Sequence, residues 1–193
     1  MLDNLNKYHI LLCSTSPRRR ELMKMLDIDF DIAPSIDVEE NYPETLKACE
    51  VPLYLSALKA RAYARLIKDN ELIITADTVV ICDNHVIGKP SDAADARRML
   101  LSMQGREHIV VTGVSITTAD RHEGFDVTTK VRFDRLGEDE IDYYISKYNP
   151  MDKAGAYGIQ EWIGAAAVAG IEGSFYNVMG LPVHQLYTYL KDF

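Results

Sequence analysis

Apolar and polar positions change period several times along the chain, and the changes mark its elements. Ile10–Cys13 is a short apolar run, followed by Ser14-Thr15-Ser16-Pro17 and then by Arg18–Leu26, where Leu22, Met25 and Leu26 recur at helical spacing. Ser16 suits an N-cap and Pro17 the first helical turn, so the segment reads strand, tight loop, helix. Phe30–Pro34 predicts a short strand, and Asp37-Val38-Glu39-Glu40 an acidic loop. A helix is expected from Val51-Pro52 to about Ile67, on an Ala-, Leu- and Arg-rich composition. Leu72–Cys82 is β-branched on both sides of Ala76-Asp77-Thr78, which predicts two strand segments around a polar insertion.

Beyond it, His85–Pro90 reads as a turn or loop. Ser91–Met103 reads as a helix capped by Ser91, with Asp92 and Asp95 at the positive end of its dipole. Ile109–Thr117 predicts a strand. Phe125–Phe133 alternates, with Phe125, Val127, Thr129, Val131 and Phe133 on one face and Asp126, Thr128, Lys130 and Arg132 on the other, the pattern of a half-buried strand. Glu138–Lys147 predicts a helix stopped by Asn149-Pro150, Asp152–Gln160 a glycine-punctuated loop, and Ala165–Ile171 a strand. Gly173–Gly180 reads as a turn-rich return and Pro182–Leu190 as a closing helix. Strands and helices are intermingled without a repeat, a linker or a low-complexity tract. The expected fold is therefore a single layered α/β domain over 1–193, with a mixed β-sheet flanked by helices.

Composition narrows the function. The chain has 193 residues, enough to bury a core without disulfide or metal staples, and its net charge of −8 argues against nucleic-acid and anionic-membrane partners. Cys13, Cys49 and Cys82 make no CxxC pair, which suits a reduced, cytoplasmic protein. No secretory leader or apolar run of membrane-spanning length is evident. The five histidines show no metal-ligand spacing, and neither GxSxG nor GxxxxGK[ST] occurs.

Against this acidic background, Ser14-Thr15-Ser16-Pro17-Arg18-Arg19-Arg20 is a concentrated basic turn at a helix start. Unpaired first-turn amides, hydroxyls and guanidinium forks there suit phosphate oxygens. A capped helix with a solvated basic turn explains the same residues. Asp77 is the carboxylate that stands out, because a charge between β-branched runs is costly to bury unpaired; a strand end facing a cleft, a metal or a cation would resolve the cost, and so would a hairpin turn. Lys59 suits phosphate binding or simple snorkelling, and Lys89, in Gly88-Lys89-Pro90, suits phosphate binding or plain exposure. Glu39 or Glu40 could join Asp77 as a hard oxygen ligand of Mg²⁺ or Mn²⁺. Gly155 and Gly158 permit close backbone approach, and Gln160 carries both the donor and the acceptor that reading a base edge requires.

Ser14-Thr-Ser-Pro-Arg-Arg19, Ala76-Asp-Thr-Val79, Gly88-Lys-Pro90, Asp152-Lys-Ala-Gly-Ala-Tyr-Gly-Ile-Gln160 and Gly173-Ser-Phe-Tyr-Asn-Val-Met-Gly-Leu-Pro182, in this order, resemble the Maf family of nucleoside triphosphate pyrophosphatases, also called septum-formation inhibitor-like proteins. The resemblance runs from about Ile10 to the C-terminus. It implies a twisted mixed sheet like that of the inosine triphosphatases, with a cleft holding the active site. It also implies metal-dependent hydrolysis of a nucleoside triphosphate to the monophosphate and pyrophosphate, in a protein that is often dimeric. Tyr157-Gly-Ile-Gln160 looks like the branch that prefers dTTP and UTP; the alternatives are modified pyrimidine triphosphates as substrates, the 7-methyl-GTP branch and a nucleotide-sensing regulator of septum formation. By motif, the resemblance makes Asp77 the catalytic carboxylate, Glu40 and Asp77 the metal ligands, and Ser14, Arg18, Arg19, Lys59, Thr78, Lys89 and Gln160 the substrate-binding set. Glu161 departs from the family pattern, which has Gly after the Gln, and Trp162–Gly170 is Ala-rich where basic residues are usual.

Overall fold

The computed structural model describes residues 2–193. In chain order its main elements are β1 (His9–Leu12), α1 (Pro17–Lys24), β2 (Asp31–Ile32), α2 (Val51–Ala64), β3 (Glu71–Cys82), β4 (His85–Ile87) and α3 (Ala93–Met103). They continue as β5 (Glu107–Thr117), β6 (His122–Phe133), α4 (Glu138–Tyr148), α5 (Trp162–Ala167), β7 (Val168–Glu172), α6 (Phe175–Met179) and α7 (Val183–Asp192). The strands form one seven-stranded sheet in the order β2-β1-β3-β5-β6-β7, with β4 paired to β3. The sheet is mixed: β1 runs parallel to β2 and β3, while β4 is antiparallel to β3 and β7 to β6. The expected mixed α/β architecture is therefore present. No helix among the described residues is long and apolar enough to cross a membrane.

The chain divides into two compact units. The first comprises Met1–Asp77, Thr112–Val127 and Gly180–Phe193. In it, Cys13, Ala33 and Ile73 form a small buried cluster with Leu11, Tyr63 and Ile67 against it. Helix α2 lies directly on β5: a Cβ at Gly113 would stand 2.3 Å from the Leu53 amide nitrogen, so only glycine admits this approach. Buried hydroxyls complete the seat. Ser56 Oγ donates to Leu53 O at 2.8 Å and lies 3.0 Å from Ser115 Oγ, and Thr75 Oγ1 donates to Ser56 O at 2.8 Å.

The second unit comprises Thr78–Val111 and Thr128–Met179. Its core gathers Val80, Leu100, Met103, Val131, Phe133 and Ile141, with Tyr144, Tyr157 and Ile163 among them. Helices α3 and α4 face it with their apolar stripes, and on the solvent side Arg97 pairs with Glu138 and Asp142.

Several local expectations are corrected. Leu72–Cys82 is not two strands around an insertion but part of one twelve-residue strand, and Asp77 lies inside it rather than at its end. Its carboxylate finds a cationic partner, so the ladder has no need to break there. His85–Ile87 is a strand, because Asp83 and Asn84 take left-handed φ of 51° and 62° and turn the chain into a hairpin. The third helix is capped by Asp92, whose side chain accepts from Asp95 N, and not by Ser91, whose amide donates to Asp95. Ala165–Ala167 is helical, as alanine favours, and the strand begins at Val168. Phe175–Met179 forms a short helix inside the predicted return, and the helix expected to reach Ile67 ends at Ala64.

Candidate functional site

In the first unit, β1 delivers the chain to residues 13–16 and α1 starts at Pro17. Ser16 occupies the N-cap position but makes no side-chain capping bond; its amide instead donates to Ser14 Oγ at 3.2 Å and closes the loop on itself. Ser14 and Arg18 are both half-buried. Arg19 is held in place by backbone carbonyls: Nε donates to Gly180 O and Nη1 to Ala76 O, each at 2.8 Å. Burial pushes its guanidinium below the ordinary value, and the charge of Asp77 pulls it back up.

Asp77 is the centre of this arrangement. Helix α2, seated on Gly113, brings Lys59 to β3, where Nζ donates to Asp77 Oδ1 at 2.6 Å. The same ammonium lies 3.0 Å from Glu40 Oε1, so two carboxylates meet on one cation. The Asp77 and Lys59 side chains are 12% and 17% exposed and Glu40 is 50% exposed, which makes the contact a shielded pair with one solvent-facing member. Burial raises the Asp77 carboxyl above its usual range; Lys59 and Arg19 oppose that rise, and Glu40 adds to it. Glu39 takes no part here: its carboxylate accepts from Asn41 Nδ2 at 2.6 Å. Among the described residues no group of three or more His, Cys, Asp or Glu side chains is placed to hold a metal.

In the second unit, Thr78 follows Asp77 in β3 and is half-buried. Lys89 and Gln160 are exposed. Their segments are joined, since Gly155 N donates to Gly88 O at 3.0 Å. Gly155 has φ +70°, and a Cβ there would meet Val80 at 2.9 Å, so the turn and its packing call for glycine without any ligand. Residues 155–159 are buried and Gln160 emerges from them. Tyr157 Oη lies 2.7 Å from His108 Nε2, with both side chains deep in the core. Burial lowers His108 to about 4 and raises the Tyr157 hydroxyl.

Ser14, Arg18, Arg19, Lys59, Glu40 and Asp77 thus fall in the first unit, and Thr78, Lys89 and Gln160 in the second. Within the first unit the structure joins Asp77, Lys59 and Glu40 in direct contact. The sequence pattern assigns no role to His108 or Tyr144, whose polar atoms hold the loop around Tyr157 and Gly158. Neither stands in a motif, and only their neighbours in space reveal them.

The family model described as Maf-like protein matches residues 9–193. The chain is 54% identical over 191 residues to the dTTP/UTP pyrophosphatase of Phocaeicola vulgatus, covering 99% of each. It is 52% identical over 193 residues to the protein of the same name from Parabacteroides distasonis, covering 100% of each. In fold it resembles a HAM1 protein from Coxiella burnetii, with TM-score 0.54 and 16% identity over 96% of this chain and 100% of that one.

Proposed function

Because the chain belongs to the Maf family, whose match runs across both units, we propose that it hydrolyses dTTP and UTP to the nucleoside monophosphate and pyrophosphate. The observation that carries this reading is the shielded Asp77 carboxylate, paired through Lys59 with Glu40. Water attacks the α-phosphorus, the bond from that phosphorus to the α–β bridging oxygen breaks, and pyrophosphate takes the electron pair. The water proton passes to a carboxylate. Asp77 suits that role, because burial holds its carboxyl above the ordinary range and so strengthens it as a base.

The charge of the triphosphate must be offset before water can approach. We assign this to Arg18, Lys59 and Lys89, with Ser14 and the first-turn amides of α1 adding neutral donors. Arg19 contributes its positive charge from a fixed seat on two carbonyls beside Asp77. Two carboxylates without a third protein ligand fit Mg²⁺ or Mn²⁺, which take one or two carboxylates and complete their shell with water and substrate phosphates. Asp77 and Glu40 would hold such an ion, and when bound it would neutralise phosphate charge and acidify its water.

Gln160 and Thr78 are assigned to the nucleoside. Thymine and uracil share one edge that runs acceptor, donor, acceptor, and a side-chain amide complements part of it, which accounts for acceptance of both dTTP and UTP. We place the enzyme in the cytoplasm, a compartment that suits its three free cysteines. A panel of ribo- and deoxyribonucleoside triphosphates, incubated with Mg²⁺ or Mn²⁺, tests the proposal. Pyrophosphate and monophosphate in equal amounts from dTTP and UTP are expected, with little from purine triphosphates. Release of orthophosphate and a diphosphate, or no release from any of the panel, would overturn it.

A further inference from the structure

We infer that Glu161 and Tyr144 are positioning residues for substrate selection, fixing the direction in which Gln160 is presented; the inference rests on the assignment of Gln160 to the base. The Tyr157-Gly158-Ile159-Gln160 segment is unusually well fastened for a loop. Gly158 N donates to Tyr144 Oη at 2.9 Å, and that hydroxyl in turn donates to the Glu161 carboxylate. The other oxygen of the same carboxylate lies 3.2 Å from Lys153 Nζ, and Lys153 also reaches Asp152 at 2.8 Å.

The arrangement is shielded. The Lys153 side chain is 9% exposed and that of Glu161 18%, although a lysine and a glutamate normally sit in water. The two ends of the segment are thus tied through one tyrosine hydroxyl: its amide at Gly158, and its carboxylate immediately after Gln160. Glu161 also stands at the N-cap position of α5, where its carbonyl accepts from Gly164 N at 2.9 Å but its side chain makes no capping bond. The acceptor capacity of its carboxylate therefore goes to Tyr144 and Lys153 instead of to the helix. The chain gives up a capping bond and buries a charge to make this connection, and the residue it holds from both sides is the exposed Gln160.

A side-chain amide reads a base edge only if its plane and direction are fixed, because a rotated amide presents donor where acceptor is needed. The Tyr144–Glu161–Lys153 network supplies that constraint without touching the base. Its loss frees Gln160 to rotate and weakens base selection while leaving the phosphate-handling residues as they were.

The experiment is a double-substitution comparison in the full chain. Glu161→Gln and Tyr144→Phe are each made in the native background and together with Gln160→Ala, and kcat and KM are measured for dTTP, UTP and dCTP. Gln160→Ala is expected to erode the preference for dTTP and UTP over dCTP. In the native background, Glu161→Gln and Tyr144→Phe are each expected to raise KM for dTTP about three- to tenfold, the value of one misdirected hydrogen bond, with kcat changed about twofold or less. In the Gln160→Ala background the same substitutions are expected to have almost no further effect on KM. Equal fold-losses in both backgrounds, or a fall in kcat in place of a rise in KM, would overturn the inference while leaving the Gln160 assignment standing. Unchanged preference in Gln160→Ala alone would overturn that assignment and the inference with it. Tyr144→Phe removes one oxygen and no packing volume, so it decides the matter should Glu161→Gln fail to fold.

Discussion

Replacing Lys59 with methionine removes the cation on which Asp77 and Glu40 meet and keeps the length and apolar stem of the side chain. The substitution abolishes a 2.6 Å charge-assisted hydrogen bond between side chains 17% and 12% exposed. Such a bond is worth about 1.5–3 kcal/mol, and solvent at the Glu40 side places this one near the middle, at about 2 kcal/mol. The destabilisation depends on pH in a direction fixed by Asp77. Its folded-state carboxyl already lies above the ordinary 3.8, so its contribution to stability is complete below that value and is lost as pH rises through the raised one. Without Lys59 the carboxyl rises further, and the penalty spreads to higher pH. Lys59→Met is therefore expected to cost about 2 kcal/mol at pH 8, and less as pH falls through the raised value and Asp77 takes up its proton. Urea titrations at pH 4, 6 and 8, compared at constant slope, measure this directly. An equal destabilisation at all three pH values would mean that Lys59 matters only for packing, and none at any would mean that the Lys59–Asp77 pair does not form.

Other expectations follow from single residues. His108 is lowered from 6.5 to about 4 by burial, so folding favours its neutral form; stability is expected to fall by roughly 3 kcal/mol as pH drops from 7 to 4, and His108→Phe should flatten that part of the stability profile. Gly113→Ala puts a Cβ 2.3 Å from the Leu53 nitrogen and should cost about 2 kcal/mol or more by thermal melting, while also lowering turnover because α2 carries Lys59. Asn84→Gly relieves a φ of +62° in the β3–β4 hairpin, where a tight hairpin turn favours glycine, and is expected to raise stability by at most about 1 kcal/mol in the same assay.

The legible parts of the fold are those written locally. The alternation at Phe125–Phe133 is the burial pattern of β6, and Asn149, at φ +44°, stops α4 where the sequence turns to Asn-Pro. The illegible parts depend on partners distant in sequence. Asp77 reads as a strand end because a lone charge should not lie within a buried strand; the cation that permits it comes from eighteen residues upstream on α2. Ser91 and Asp92 are both good caps, and only the geometry of Asp95 chooses between them. The candidate site is legible as residue types, a basic turn, an isolated aspartate and a glycine-rich loop ending in glutamine. The convergence of Lys59 and Glu40 on Asp77, and the fastening of Tyr157 and Gly158 by His108 and Tyr144, are facts of three dimensions that no spacing encodes.

Asp77→Asn bears most directly on the chemistry assigned to this protein, because it removes the basic oxygen and keeps size and polarity. Turnover of dTTP and binding of dTTP are measured on the same preparation of folded variant. Turnover lower by about 10²- to 10⁴-fold is expected, the scale of a missing general base, while dTTP still binds. Release of pyrophosphate at the rate of the unsubstituted protein would contradict the account.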